Sequence, residues 1–149
     1  MLLETLKSLF KRDLNRLKTE IESYTSEEKI WSIDKHIANS PGNLSLHIVG
    51  NLNTYIGKEL GGTNYIRNRE LEFSLKNIPR SELLNKITGT MAMVEQVLSQ
   101  LDEMELSKEY PVMVFEKKTS TAYFLVHLAT HLAYHLGQVN YHRRLLDAE

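Results

Sequence analysis

The chain has no cysteine among its 149 residues. Disulfides, thiolate metal ligands and a cysteine nucleophile are excluded together, so any bound metal must use nitrogen or oxygen donors. Proline is scarce, three in all, and two of them, Pro41 and Pro79, fall where helices are expected to begin. Charge of one sign is missing too: 18 basic residues stand against 19 acidic, a formal net charge of −1, with no long run of either. Nucleic acid and anionic membrane surfaces therefore drop out as expected partners. No window approaches the roughly 18 uncharged apolar residues of a membrane span, since Glu4 and Lys7 already break "MLLETLKSLFKRDL". The expected location is cytoplasmic.

With 42% apolar residues, the chain has the size of one domain, residues 1–149, around one core. Phe10, Leu14, Leu17, Ile21 and Tyr24 recur by four and three, which predicts a first helix over about 2–24. In "TSEEKIWSIDKHIAN", Trp31 and Ile33 are expected to cover one end of the core. Asn39 and Ser40 ahead of Pro41, with Gly61-Gly62 as a stop, predict a second helix over about 41–60. "TNYIRNRELEFSLKNI" has no sustained period and reads as a lid or packed surface loop. Pro79 and Ser81 open a third helix with Leu84, Ile87, Met91, Val94, Leu98 and Leu101 as its seam. "LSKEYPVMVF" reads as an extended return, and Thr119 or Ser120 caps a fourth helix running to about 146. The fold class is all-α, a four-helix bundle with crossing angles near 20°.

That fourth helix carries "HLATHLAYHLGQ", residues 127–138. At 100° per residue, His127, His131, His135 and His142 share one face with Phe124 and Gln138, on the side where the apolar residues point. Inward imidazoles need partners, and one ion satisfies several. His127 and His135 are about 12 Å apart in rise, so only an adjacent i, i+4 pair suits a single ion. His47 on the second helix, at the margin of a stripe of Leu44, Ile48, Leu52 and Tyr55, is the candidate third ligand; His36 lies in an irregular connection without such a framework. His47, His131 and His135 would form a three-nitrogen site with an open position, as catalytic metal sites have. Asn51 and Gln138 are candidate outer groups that orient ligands or water.

A histidine on the second helix, followed far downstream by histidine, three residues, histidine, one residue and Gly-Gln, resembles the DinB/YfiT-like superfamily of metal-dependent bundle proteins. "NSPGNLSLHIVGNLNTYIG" and "RNRELEFS" resemble a DinB-like subgroup whose function is largely unassigned. The resemblance covers essentially the whole chain. It implies up-down-down-up helix order, a divalent metal on His47, His131 and His135, and a homodimer. Where relatives often show a second histidine and an arginine, this chain has Tyr134 and Leu136, and it adds His127 one turn earlier. Characterised relatives include transferases that use low-molecular-weight thiols, and related bundles act as thiol-dependent isomerases or hydrolases.

The expected function is a metal-dependent enzyme acting on a small-molecule substrate, with a thiol or water activated on the ion. The thiol would come from a low-molecular-weight cosubstrate, because the chain has none. Tyr134, Tyr141 or His127 would pass protons, and Arg67 or Arg69 would bind a cosubstrate carboxylate. The competing readings are a noncatalytic, stress-associated metal-binding module and a metal-free dimerisation scaffold. Three imidazoles suit zinc, nickel, copper or iron, with manganese also in play, and do not choose among them.

Overall fold

A computed structural model describes residues 1–147, all of whose regular structure is helical; the one β-type contact is an isolated bridge between Glu109 and Ser120. The first helix, α1 (Leu2–Ser23), buries Leu3, Leu6, Phe10, Leu14, Leu17 and Ile21, with Tyr24 closing the seam just past its end. The three-and-four spacing alone accounts for this face. A 3-10 turn (Glu27–Trp31) follows and buries Ile30 and Trp31, the indole lying flat against Gly42, where a Cβ would strike the ring. Trp31 covers the core as expected. Ile33 does not: it is 59% exposed.

Ser40 caps α2 (Pro41–Leu52) by accepting from the Asn43 N–H, with Pro41 in the first helical position. Every residue of α2 is buried, so this is a central helix and not an amphipathic one. The helix continues through a π-helical stretch (Asn53–Lys58) and a last turn (Glu59–Gly61), then stops at Gly62, whose φ of 66° is left-handed. Within the wider π turn, Asn53 donates to the Val49 carbonyl and to the Thr90 hydroxyl, and the Tyr110 hydroxyl donates to the Tyr55 carbonyl.

The stretch expected to be a loop holds a short helix, α3 (Arg69–Ser74), capped by Asn68. Helix α4 (Arg80–Ser99) follows; it buries Leu83, Ile87, Thr90, Val94, Val97 and Leu98, whereas Leu84 and Met91 from the expected seam are only partly buried. A further short helix, α5 (Glu103–Ser107), is capped by Asp102 and takes in Leu106 and Ser107, the first two residues of the segment expected to be extended. Ser120 caps α6 (Thr121–Leu146). Helix α1 packs against α4 and α6, and α2 packs against the same two helices, so α2 and α6 meet along the face that carries the histidines. Among the described residues, no helix is long and apolar enough to cross a membrane.

Candidate metal centre

Helix α2, buried all round, must point His47 at another element, and α6 lies across from it. The result is convergence of three ring nitrogens. His131 Nε2 stands 3.2 Å from His47 Nε2 and 3.1 Å from His135 Nε2. One ligand atom from each ring lies within 4.8 Å of the others. The i, i+4 spacing on α6 stacks His131 and His135 on one face, with centroids 4.5 Å apart and planes crossing at 89°.

The outer nitrogens fix the proton positions. His47 Nδ1–H donates to Glu72 Oε1 at 3.0 Å, and His135 Nδ1–H donates to Gln138 Oε1 at 2.7 Å. These two rings then present an unprotonated Nε2 lone pair toward the Nε2 of His131. Burial, reinforced by the charges of His135, His47, His127 and Arg67, pushes His131 down to about 4. Burial also lowers His135, against the bond to Gln138. Neutral imidazoles with facing lone pairs repel unless a cation lies between them.

Donor chemistry and spacing both fit a divalent ion. Nitrogens bound at about 2.0–2.1 Å in a tetrahedral zinc site stand about 3.3 Å apart, close to the two separations here. Asn51, one helical turn beyond His47, is buried with its Oδ1 lacking any hydrogen-bond partner. An orphaned acceptor of this kind calls for a water or an ion-bound group. Three histidine ligands would leave a coordination position open for a water or substrate.

Around His47 lies an arrangement that hydropathy does not reveal. Glu72 is 6% exposed. Arg67 grips its carboxylate with two N–H groups, Nε to Oε2 at 2.8 Å and Nη2 to Oε1 at 3.0 Å. Burial opposes ionisation of Glu72, but the hydrogen bonds from His47 and Arg67 prevail and hold it below the usual carboxylate range. The carboxylate rests on α2 at Gly50, one turn after His47, where a Cβ would fall inside it. Asn43 anchors α3 by donating to the carbonyls of Glu72 and Leu75, both at 2.9 Å. Phe73 covers the His47 ring, with centroids 5.1 Å apart.

Of the residues singled out from the sequence, His47, His131, His135 and Gln138 come together. Arg67 is nearby, with its Nε and Nη2 engaged by Glu72. Arg69 is exposed and lies over Phe73. His127 stays out of the cluster; its ring packs edge-on against Phe115 at 4.8 Å and lies 6.2 Å from His131. Tyr134 is 66% exposed, with its ring edge-on to His135 at 5.4 Å. His142, on the same sequence face, is separately accounted for: the Tyr24 hydroxyl donates to Nδ1, and Nε2–H donates to the Ser32 carbonyl.

Glu72 and Gly50 are the residues that sequence reasoning missed. The available signals were a glycine three residues after His47 and the Asn68 cap, which starts a helix and thereby fixes the face on which Glu72 lies. A family model described as "Protein of unknown function (DUF1572)" matches residues 1–149. No curated protein matches the chain.

Proposed function

Because the chain belongs to the DUF1572 family, a DinB-like family, we propose that it is a divalent-metal-dependent enzyme of the thiol-transferase or hydrolase type. The observation that carries this reading is the meeting of three Nε2 atoms, with the His47 and His135 tautomers set from behind by Glu72 and Gln138. An ion bound there would supply a Lewis-acid centre that lowers the pKa of a thiol or water in its open position.

The chain's own residues do the rest. Glu72 and Gln138 hold two rings in ligating orientation. Phe73, over His47, keeps water from one side of the site. Arg67 neutralises the buried Glu72 charge, so an ion meets three neutral ligands. Tyr134, beside His135, and His127, beside His131, are the candidate groups to take the proton released by the nucleophile. With no cysteine in the chain, the thiol comes from a small cosubstrate. The helix order is taken as up-down-down-up, and the protein as a homodimer, which sedimentation checks against the 17.2 kDa of a single chain.

The test begins with metal analysis of protein purified without a histidine tag. About one equivalent is expected in the unmutated chain, and His131→Ala is expected to lose it. Less than about a tenth of an equivalent, with no uptake of added zinc, nickel or manganese, removes the metal site. The loaded protein is then screened with small thiols and electrophiles. Turnover that His47→Ala and His135→Ala abolish supports the enzyme. Stable metal binding without turnover leaves a noncatalytic metal module.

A further inference from the structure

Behind the histidine cluster lies a cavity of about 470 Å³, within the range of about 300–1,000 Å³ typical of small-molecule sites. Three separate pieces of chain build it: the irregular segment before α2, the first turn of α2, and the last turns of α6. Its apolar walls come from Ile37, Ala38, Pro41, Leu44 and Leu145. It also touches His135 and Gln138, and so adjoins the metal centre through one proposed ligand and the residue that orients it. His36, which has no helical framework in the sequence, is part of its lining.

Two features define what the cavity takes. Among the described residues no Asp, Glu, Lys or Arg lines it, so a charged group entering would give up hydration without gaining a counter-charge from them. Polar side chains also line it, from His36, Asn39, His135, Gln138, Tyr141 and His142. Both His142 nitrogens are engaged by Tyr24 and Ser32, leaving only the ring to contact a ligand. Gln138 differs. Its Oε1 accepts from His135, which fixes the orientation of the amide and leaves the NH2 end as a donor.

We propose that this cavity is a binding site for an uncharged, mainly apolar small molecule with one acceptor oxygen. The alkyl portion lies against Leu44 and Leu145, and a carbonyl oxygen accepts from the Gln138 amide. This deepens the enzymatic reading and rests on it only for the ligand's role as substrate, since the cavity itself exists without the ion.

The probes are 2-heptanone, heptanoate and heptylamine, which share a chain length and are neutral, anionic and cationic at about pH 7.5. Binding to the metal-free protein is followed by ligand-observed NMR, and metal uptake is measured separately. The ketone is expected to bind at least about tenfold more tightly than either charged probe. Ala38→Trp, which places an indole in the opening, and Gln138→Leu, which removes the donor, should each weaken ketone binding at least about tenfold while circular dichroism shows the fold retained. Equal binding of the charged probes, or ketone binding unchanged in Ala38→Trp, overturns the proposal. Because no arm contains metal, such a failure leaves the metal reading intact. Ketone binding by a protein that takes up no metal sustains the cavity and removes the enzyme.

Discussion

Glu72 is the residue whose removal separates a positioned ligand set from a mere cluster of histidines. Its carboxylate accepts from His47 Nδ1–H and is held from the other side by Arg67. Outer partners of this kind set ring orientation and ligand basicity, and losing one typically costs about 10–100-fold in metal affinity. Glu72→Ala is expected to weaken zinc binding by about that range, measured by competition with a chromophoric chelator. Glu72→Gln keeps an acceptor for His47 and should lose less. Gly50→Ala reaches the same carboxylate from beneath, because the added Cβ would occupy its place. The double variant Gly50→Ala with Glu72→Ala should then be little worse than Glu72→Ala alone, as expected for coupled neighbours. Affinity in Glu72→Ala within about twofold of the unmutated protein would remove the positioning role. His127 is the internal control: packed against Phe115 outside the cluster, its replacement by Ala should leave metal stoichiometry unchanged, whereas His131→Ala should not.

At the scale of the element, the parts of the fold legible in the sequence are those with one buried face. The seam of α1 shows itself because Phe10, Leu14, Leu17 and Ile21 alternate with charge, and the start of α2 because Ser40 and Pro41 mark it. The seam of α4 is legible at Ile87, Val94 and Leu98, while Leu83 and Thr90 are buried in place of the expected Leu84 and Met91. Helix α3 was illegible for a stronger reason: its pattern is inverted. Leu71 is 43% exposed while Glu72, beside it, is 6% exposed, so hydropathy points the wrong way. What orients α3 is polar, the pair of bonds from Asn43 to the carbonyls of Glu72 and Leu75. The site divides along the same line. The three histidines of the candidate site were legible from spacing and family resemblance, and the supporting carboxylate was not. Asn43→Ala should therefore unpin α3, lowering global stability by about 1–3 kcal/mol in urea unfolding and raising amide exchange across residues 69–75. Zinc affinity should fall with it, because Glu72 moves with the helix. Unchanged exchange in that segment would show that α3 is held by other contacts.

For the whole molecule, the neutral histidines tie stability to pH and to metal. Burial lowers His131, His135 and His142, so the unfolded chain takes up protons before the folded one does. Stability of the metal-free protein should thus be full above about pH 6.5. It should fall as the pH drops below that value, toward about 4 for His131. Glu72 is lowered as well, and its contribution disappears only further down, as the pH falls below the ordinary glutamate range toward its folded value. The interval from about pH 6.5 to 4.5 therefore reports mainly the histidines. Thermal midpoints measured across it should decline in the metal-free protein. In His131→Ala the decline should be shallower but still present, because His142 remains buried between Tyr24 and Ser32. Saturating zinc at about pH 7.5 should raise the midpoint, by about 2.7 kcal/mol of stability when free metal is 100 times its Kd. The rise should be absent in His131→Ala and should shrink on acidification, as protons compete for the Nε2 lone pairs. A metal-free midpoint flat across that interval would contradict the buried neutral imidazoles on which the site depends. A zinc-induced rise that survives in His131→Ala would place the ion elsewhere.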